Sequence, residues 1–136
     1  STPIKSSAAS DVYKRQELSR NLMETISFFD YREDYYHGFT TGLLKMMEGY
    51  IVESNRESGM GRSDIIIRSA PYEGIAVIIE TKVADSYGQL EEKASQALAQ
   101  IEEKQYDAGL RSEGYHTFIK YGIAFFKKLC RVLTDK

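Results

Sequence analysis

Apolar positions along the chain alternate between two periods, and each change of period marks an element. Leu18, Leu22, Ile26 and Phe29 recur at helical spacing and predict a first helix from about Glu17 to Phe28. Asp30-Tyr31-Arg32-Glu33 reads as a capping box, with Asp30 as N-cap and Glu33 reaching back. It opens a second helix from about Tyr31 to Glu48, whose apolar face is read as Tyr36, Phe39, Leu43, Met46 or Met47, and Tyr50. The pattern then becomes extended. Tyr50 to Asn55 predicts a strand, and Arg56 to Arg62 a glycine-containing connector. The β-branched runs ending at Ile67 and starting at Ile75 predict two more strands. Helical spacing returns in Leu90, Ala94, Ala97, Leu98 and Ile101, predicting a helix from about Gln89 to Ala108 that Gly109 and Gly114 close. Phe118 to Phe126 and Leu129 to Leu133 complete the set as two strands joined at Lys127-Lys128. The order helix, helix, three strands, helix, two strands fits an α/β fold, with a mixed central sheet of about five strands flanked by helices. Ser1 to Gln16 carries no packing pattern and reads as disordered or linker-derived, leaving 17–136 as the domain.

The central hairpin has a register that can be worked out by hand. Its linker, Ala70-Pro71-Tyr72-Glu73-Gly74, contains proline and glycine, so the flanking strands should run antiparallel. If Ser69 pairs with Ile75, paired residue numbers sum to 144, which sets Asp64 across from Glu80 with Cβ atoms about 5 Å apart. A slip of one residue would send the two acids to opposite faces. Facing carboxylates repel, so a positive group is expected between them. Lys82 projects from the same face about 7 Å further along, and a hard divalent cation would serve as well. Two carboxylates beside a lysine are the equipment for metal-assisted phosphodiester hydrolysis.

Composition narrows the field only a little. The chain has 136 residues, 42% of them hydrophobic, enough for a real core in one domain. Its formal net charge of -2 gives no basic footprint for nucleic acid overall. Yet Lys120, Lys127, Lys128, Arg131 and Lys136 gather near the C-terminal end, while Glu91, Glu92, Glu102 and Glu103 share one predicted helix, so a local basic face is expected. The single cysteine, Cys130, excludes an intramolecular disulfide and alternates with apolar residues as a packing group. With neither a secretory pattern nor a membrane-length apolar run, the expected location is the cytoplasm, away from any membrane.

Asp64 followed by Glu80-Thr81-Lys82 at the end of an apolar strand resembles the core motif of the PD-(D/E)XK nuclease superfamily. The likeness extends from about Leu18 to Val132. It takes in Ser27-Phe28-Phe29-Asp30, Tyr36-His37-Gly38-Phe39, Gly42-Leu43-Leu44, Gly61-Arg62-Ser63-Asp64, Gln100-Ile101 and Lys120-Tyr121-Gly122-Ile123-Ala124-Phe125. These pieces resemble one bacterial and archaeal branch, in which the domain follows an AAA-ATPase-like domain. The resemblance implies a restriction-endonuclease-like core and a Mg²⁺- or Mn²⁺-dependent nuclease acting on DNA more readily than RNA. Asp64, Glu80 and the Thr81 main-chain carbonyl would bind the cation, Glu33 is a candidate third carboxylate, and Lys82 would assist the attacking water. Arg62 would meet a substrate phosphate or pair with a carboxylate. His37 would orient a phosphate or water, or pack beside its aromatic neighbours. Gln100, at the edge of its helix's apolar stripe, would reach the carboxylate cluster or remain solvated. Two other readings stay open: a catalytically silent module that binds nucleic acid or an ATPase partner domain, and a structural dimerisation domain whose charged trio is a surface network.

Overall fold

A computed structural model describes residues 16–17, 20, 49–54, 65–127 and 129–135. Within them a five-stranded sheet runs in chain order. Its strands are β1 (Ile51–Ser54), β2 (Ile65–Arg68), β3 (Ile75–Val83), β4 (Thr117–Phe126) and β5 (Leu129–Thr134). Neighbours are antiparallel except β3 and β4, which run parallel. A parallel pair needs a crossover, and it consists of a 3₁₀ turn (Tyr87–Gln89), helix α1 (Leu90–Lys104) and the short helix α2 (Asp107–Ser112). This is the mixed α/β sheet that the hydrophobic pattern anticipates. Of the two N-terminal helices anticipated, Glu17 and Arg20 are helical, as is Gln16 of the segment before them, and the rest, including the Asp30–Glu33 capping box, lies outside the described residues.

The hairpin register agrees with the hand-worked one. Ile65 pairs with Ile79, Ile66 with Ile78, Ile67 with Val77 and Arg68 with Ala76, so the numbers sum to 144 throughout. The turn begins where expected: the Ser69 amide donates to the Ile75 carbonyl at 2.9 Å, and the Ile75 amide donates to Ser69 Oγ at 2.9 Å. The buried Ser69 hydroxyl thus satisfies a backbone group that the turn would otherwise leave unpaired.

Alternation divides the strands into two faces. Ile65, Ile67, Val77, Ile79, Ile119, Tyr121, Ile123 and Phe125 form the core on one side. Ile66, Ala76, Ile78 and Phe118 turn to the other, where Ile101, Leu110 and Tyr115 meet them. From Ile75 to Glu80 every residue of β3 is buried, as expected of a central strand covered on both faces. Helix α1 lies on the second face through Leu90, Ala94, Ala97 and Ile101, the stripe read from its spacing. It lies close. A Cβ placed on Gly122 would come within 2.3 Å of the Ala94 carbonyl oxygen and 2.5 Å of the Leu98 amide nitrogen. Only glycine admits the helix backbone at that point of β4.

Two expectations need correction. The helix expected to run to Ala108 stops at Lys104, because Gln105 turns left-handed (φ 52°), and the chain restarts as α2. Gly109 therefore lies inside α2, while Gly114 (φ 100°) follows it. The expected basic face is also neutralised at two of its described residues. Lys120 is buried and its Nζ meets Glu102 at 2.9 Å, and Arg131 meets Glu91 at 3.2 Å. The acidic helix folds back onto the basic strands, so charges well separated in sequence cancel in space. Cys130 packs at the edge of the first core, as its alternation implied.

Candidate functional site

Glu80 is the sixth residue of β3 and follows Ala76 and Ile78 onto the α1 side of the sheet. It is only 5% exposed. A carboxylate so enclosed is costly unless hydrogen bonds or positive charge compensate it. Lys82, two residues on, reaches the same face and donates from Nζ to Gln100 Oε1 of α1 at 3.0 Å. Gln100 Nε2 in turn donates to the Tyr106 hydroxyl at 3.4 Å, just past the end of α1. The strand supplies the acid and the amine, and the helix supplies the amide that receives the amine.

The parallel β3–β4 pairing fixes what lies beside them. Lys120 is abreast of Ile78, Gly122 of Glu80 and Ala124 of Lys82. The small residues at 122 and 124 therefore flank the acid and the amine, and through them α1 approaches closely enough for Gln100 to meet Lys82. Lys120 borders the site on the same face. Its Nζ lies 2.9 Å from Glu102 Oε1 and 3.8 Å from Asp107 Oδ2.

Of the residues singled out in the sequence, Glu80, Thr81, Lys82 and Gln100 are thus described. Thr81 is half-buried on the intervening β3 position, paired with Ile123. Glu33, His37, Arg62 and Asp64 lie outside the described residues, although Asp64 is bonded directly to Ile65, the last residue seen in register with β3. Among the described residues no group of three His, Cys, Asp or Glu side chains comes together. The donors that do stand here, a buried carboxylate and main-chain carbonyl oxygens, are hard ligands of the kind Mg²⁺ and Mn²⁺ take.

A family model of the PD-(D/E)XK nuclease superfamily matches residues 31–134. The chain belongs to that superfamily. No curated protein and no solved structure matches the chain. Membership joins Asp64, Glu80 and Lys82 in one matched stretch, and the mixed sheet with its crossing helix is consistent with the superfamily's restriction-endonuclease-like core. Sequence reasoning passed over two residues that shape the surroundings of Glu80 and Lys82. Gly122 carried a readable signal, since glycine inside an apolar strand marks a close backbone approach. Tyr106 carried none, because its contact with Gln100 depends on the left-handed break at Gln105.

Proposed function

We propose that this domain is a divalent-metal-dependent nuclease hydrolysing phosphodiester bonds, in DNA more readily than in RNA. The observation that carries the reading is the hairpin register, which holds through the Ile65–Ile79 pair and, continued by one residue, would set Asp64 against the buried Glu80. Asp64, Glu80 and the Thr81 carbonyl would hold Mg²⁺ or Mn²⁺, with Glu33 as a further oxygen donor. Such a cation, when bound, supplies an acidified water and a polarised phosphate. Lys82 orients the attacking water, helps take its proton and steadies the negative charge that builds on the phosphate. Gln100 keeps the Lys82 amine aimed, while Arg62 and His37 are assigned to the substrate phosphate.

The second reading is a silent module that binds nucleic acid or a partner domain. The charge pattern favours the partner-domain form of that reading: net charge is -2, and Lys120 and Arg131 are already paired with α1 carboxylates. Among the described residues these two cations are thus engaged within the fold and not offered to a polyanion. Under the enzyme reading, substrate affinity comes partly from elsewhere, and an ATPase-like domain preceding this one is the proposed source. Cleavage of supercoiled plasmid with Mn²⁺ separates the two. The enzyme reading expects nicked product from the wild type and a loss of about a hundredfold or more in Lys82→Ala. A wild type that binds Mn²⁺ but leaves plasmid and single-stranded DNA intact would favour the silent module.

A further inference from the structure

Lys120 is buried, charged and outside the catalytic trio, so its presence calls for a physical reason. It is 7% exposed and its strand is firmly anchored: Thr134 Oγ1 donates to its carbonyl at 2.9 Å, and its amide donates to Asp135 Oδ1 at 3.3 Å. From that anchor Nζ spans the elbow between the two helices, meeting Glu102 in the last turn of α1 and Asp107 at the first position of α2. The elbow turns on Gln105 at φ 52°, a conformation disfavoured for a residue with a Cβ and kept only where the surroundings enforce it. Asp107 is also held by Arg111 at 3.2 Å, and the Arg111 guanidinium lies 4.5 Å over the Phe118 ring, two residues before Lys120 on β4. Both arms of the elbow are thus fastened to the same strand.

Tyr106 sits inside that elbow. Its hydroxyl lies 3.4 Å from Gln100 Nε2, and Gln100 Oε1 lies 3.0 Å from Lys82 Nζ. A side-chain amide can present either end, and the wrong end would set its NH₂ against the lysine's donors. The Tyr106 oxygen, by accepting from Nε2, fixes the orientation in which Oε1 faces Lys82. We propose that Lys120 is a positioning residue: by pinning the α1–α2 elbow it holds Tyr106 under Gln100, and so sets the direction of the Lys82 amine. Buried ion pairs are weak sources of stability, but they can specify one arrangement. The catalytic consequence rests on the nuclease reading; the positioning itself does not.

The test uses the full chain and two variants. Lys120→Met fills the same volume without the charge, and Tyr106→Phe removes one hydroxyl while keeping every ion pair. Two readouts are followed in parallel. The first is the Gln100 side-chain amide signal in a ¹⁵N-correlated NMR spectrum, assigned by its disappearance in Gln100→Ala. The second is plasmid cleavage with Mn²⁺. In both variants the Gln100 signal should move toward the position of a free glutamine. Turnover should fall about tenfold with KM and Mn²⁺ affinity unchanged, as expected when a group is misaimed rather than removed. If the wild type proves inactive while the Gln100 signal still moves in both variants, the nuclease reading fails and the positioning device stands. A Gln100 signal that stays in place in folded Tyr106→Phe or in folded Lys120→Met overturns the proposal, as does, where the wild type is active, unchanged turnover in folded Lys120→Met.

Discussion

Two lysines rise from neighbouring strands onto the same face of one sheet, and the crossover helices treat them differently. Lys120 is enclosed and its nitrogen meets two carboxylates, Glu102 and Asp107. Lys82 is half-exposed and, among the described residues, its nitrogen meets the neutral oxygen of Gln100. An ammonium neutralised by two acids is committed to architecture. One whose described contact is a neutral amide is not committed in that way. The difference arises from position along the helix: Glu102 lies in the last turn of α1, whereas Gln100 faces Lys82 further in.

The sharpest way to break this arrangement is to push α1 off the sheet. Gly122→Ala would drive a methyl group into the Ala94 carbonyl and Leu98 amide, backbone atoms with little room to yield. It should cost about 3 kcal/mol in a urea melt; an undiminished midpoint would mean that the close helix approach is not as described. Next come the two lysines. Lys120→Ala should cost about 2 kcal/mol, since it leaves the buried end of an ion pair unfilled, with the half-exposed Glu102 softening the loss. Lys82→Ala should cost less than about 0.5 kcal/mol. Equal losses in thermal denaturation would erase the distinction between a lysine enclosed by carboxylates and one held by an amide. Gln105→Gly should stabilise by up to about 1 kcal/mol, because glycine adopts φ 52° without strain. A destabilised variant would show that the Gln105 side chain has a role of its own.

The smallest effect belongs to the opposite face, where Tyr50 packs against the Ile and Val core. Burial first, then the Glu73 and Glu17 carboxylates, raises its phenol above the usual 10.0. The folded state then holds the proton more tightly than the unfolded one. The stability this confers is present below pH 10 and lost as pH climbs through the folded-state value. Tyr50→Phe should flatten that alkaline decline without altering behaviour at neutral pH, as measured by melts at increasing pH. An identical decline in both proteins would remove Tyr50 as its source.

The same contrast separates what could be read from the chain from what could not. The β2–β3 register was legible because the Pro- and Gly-containing linker fixed the turn, and period-two alternation carried the register outward. The α1 stripe was legible because alanines at 94 and 97 leave room for close packing. The break at Gln105 was hidden, since glutamine carries no left-handed signal and Gly109 offered a false one. The pairing of Lys120 with Glu102 was hidden too, because these residues lie 18 apart in sequence and nothing local selects one partner among many charges. Gln100 stood at the margin: its angle on the helix admitted a contact with the site, but only the depth set by Gly122 brings it to Lys82.

Continued by one residue, the β2–β3 register would bring Asp64 and Glu80 to one cation on the α1 side of the sheet. Anomalous diffraction from crystals soaked in Mn²⁺ tests it most directly. The expected result is a single strong peak about 2 Å from a Glu80 carboxylate oxygen and from an Asp64 oxygen, lost in Asp64→Ala. An absent peak at saturating Mn²⁺, or Asp64 turned to the face occupied by Ile65 and Ile79, would contradict it.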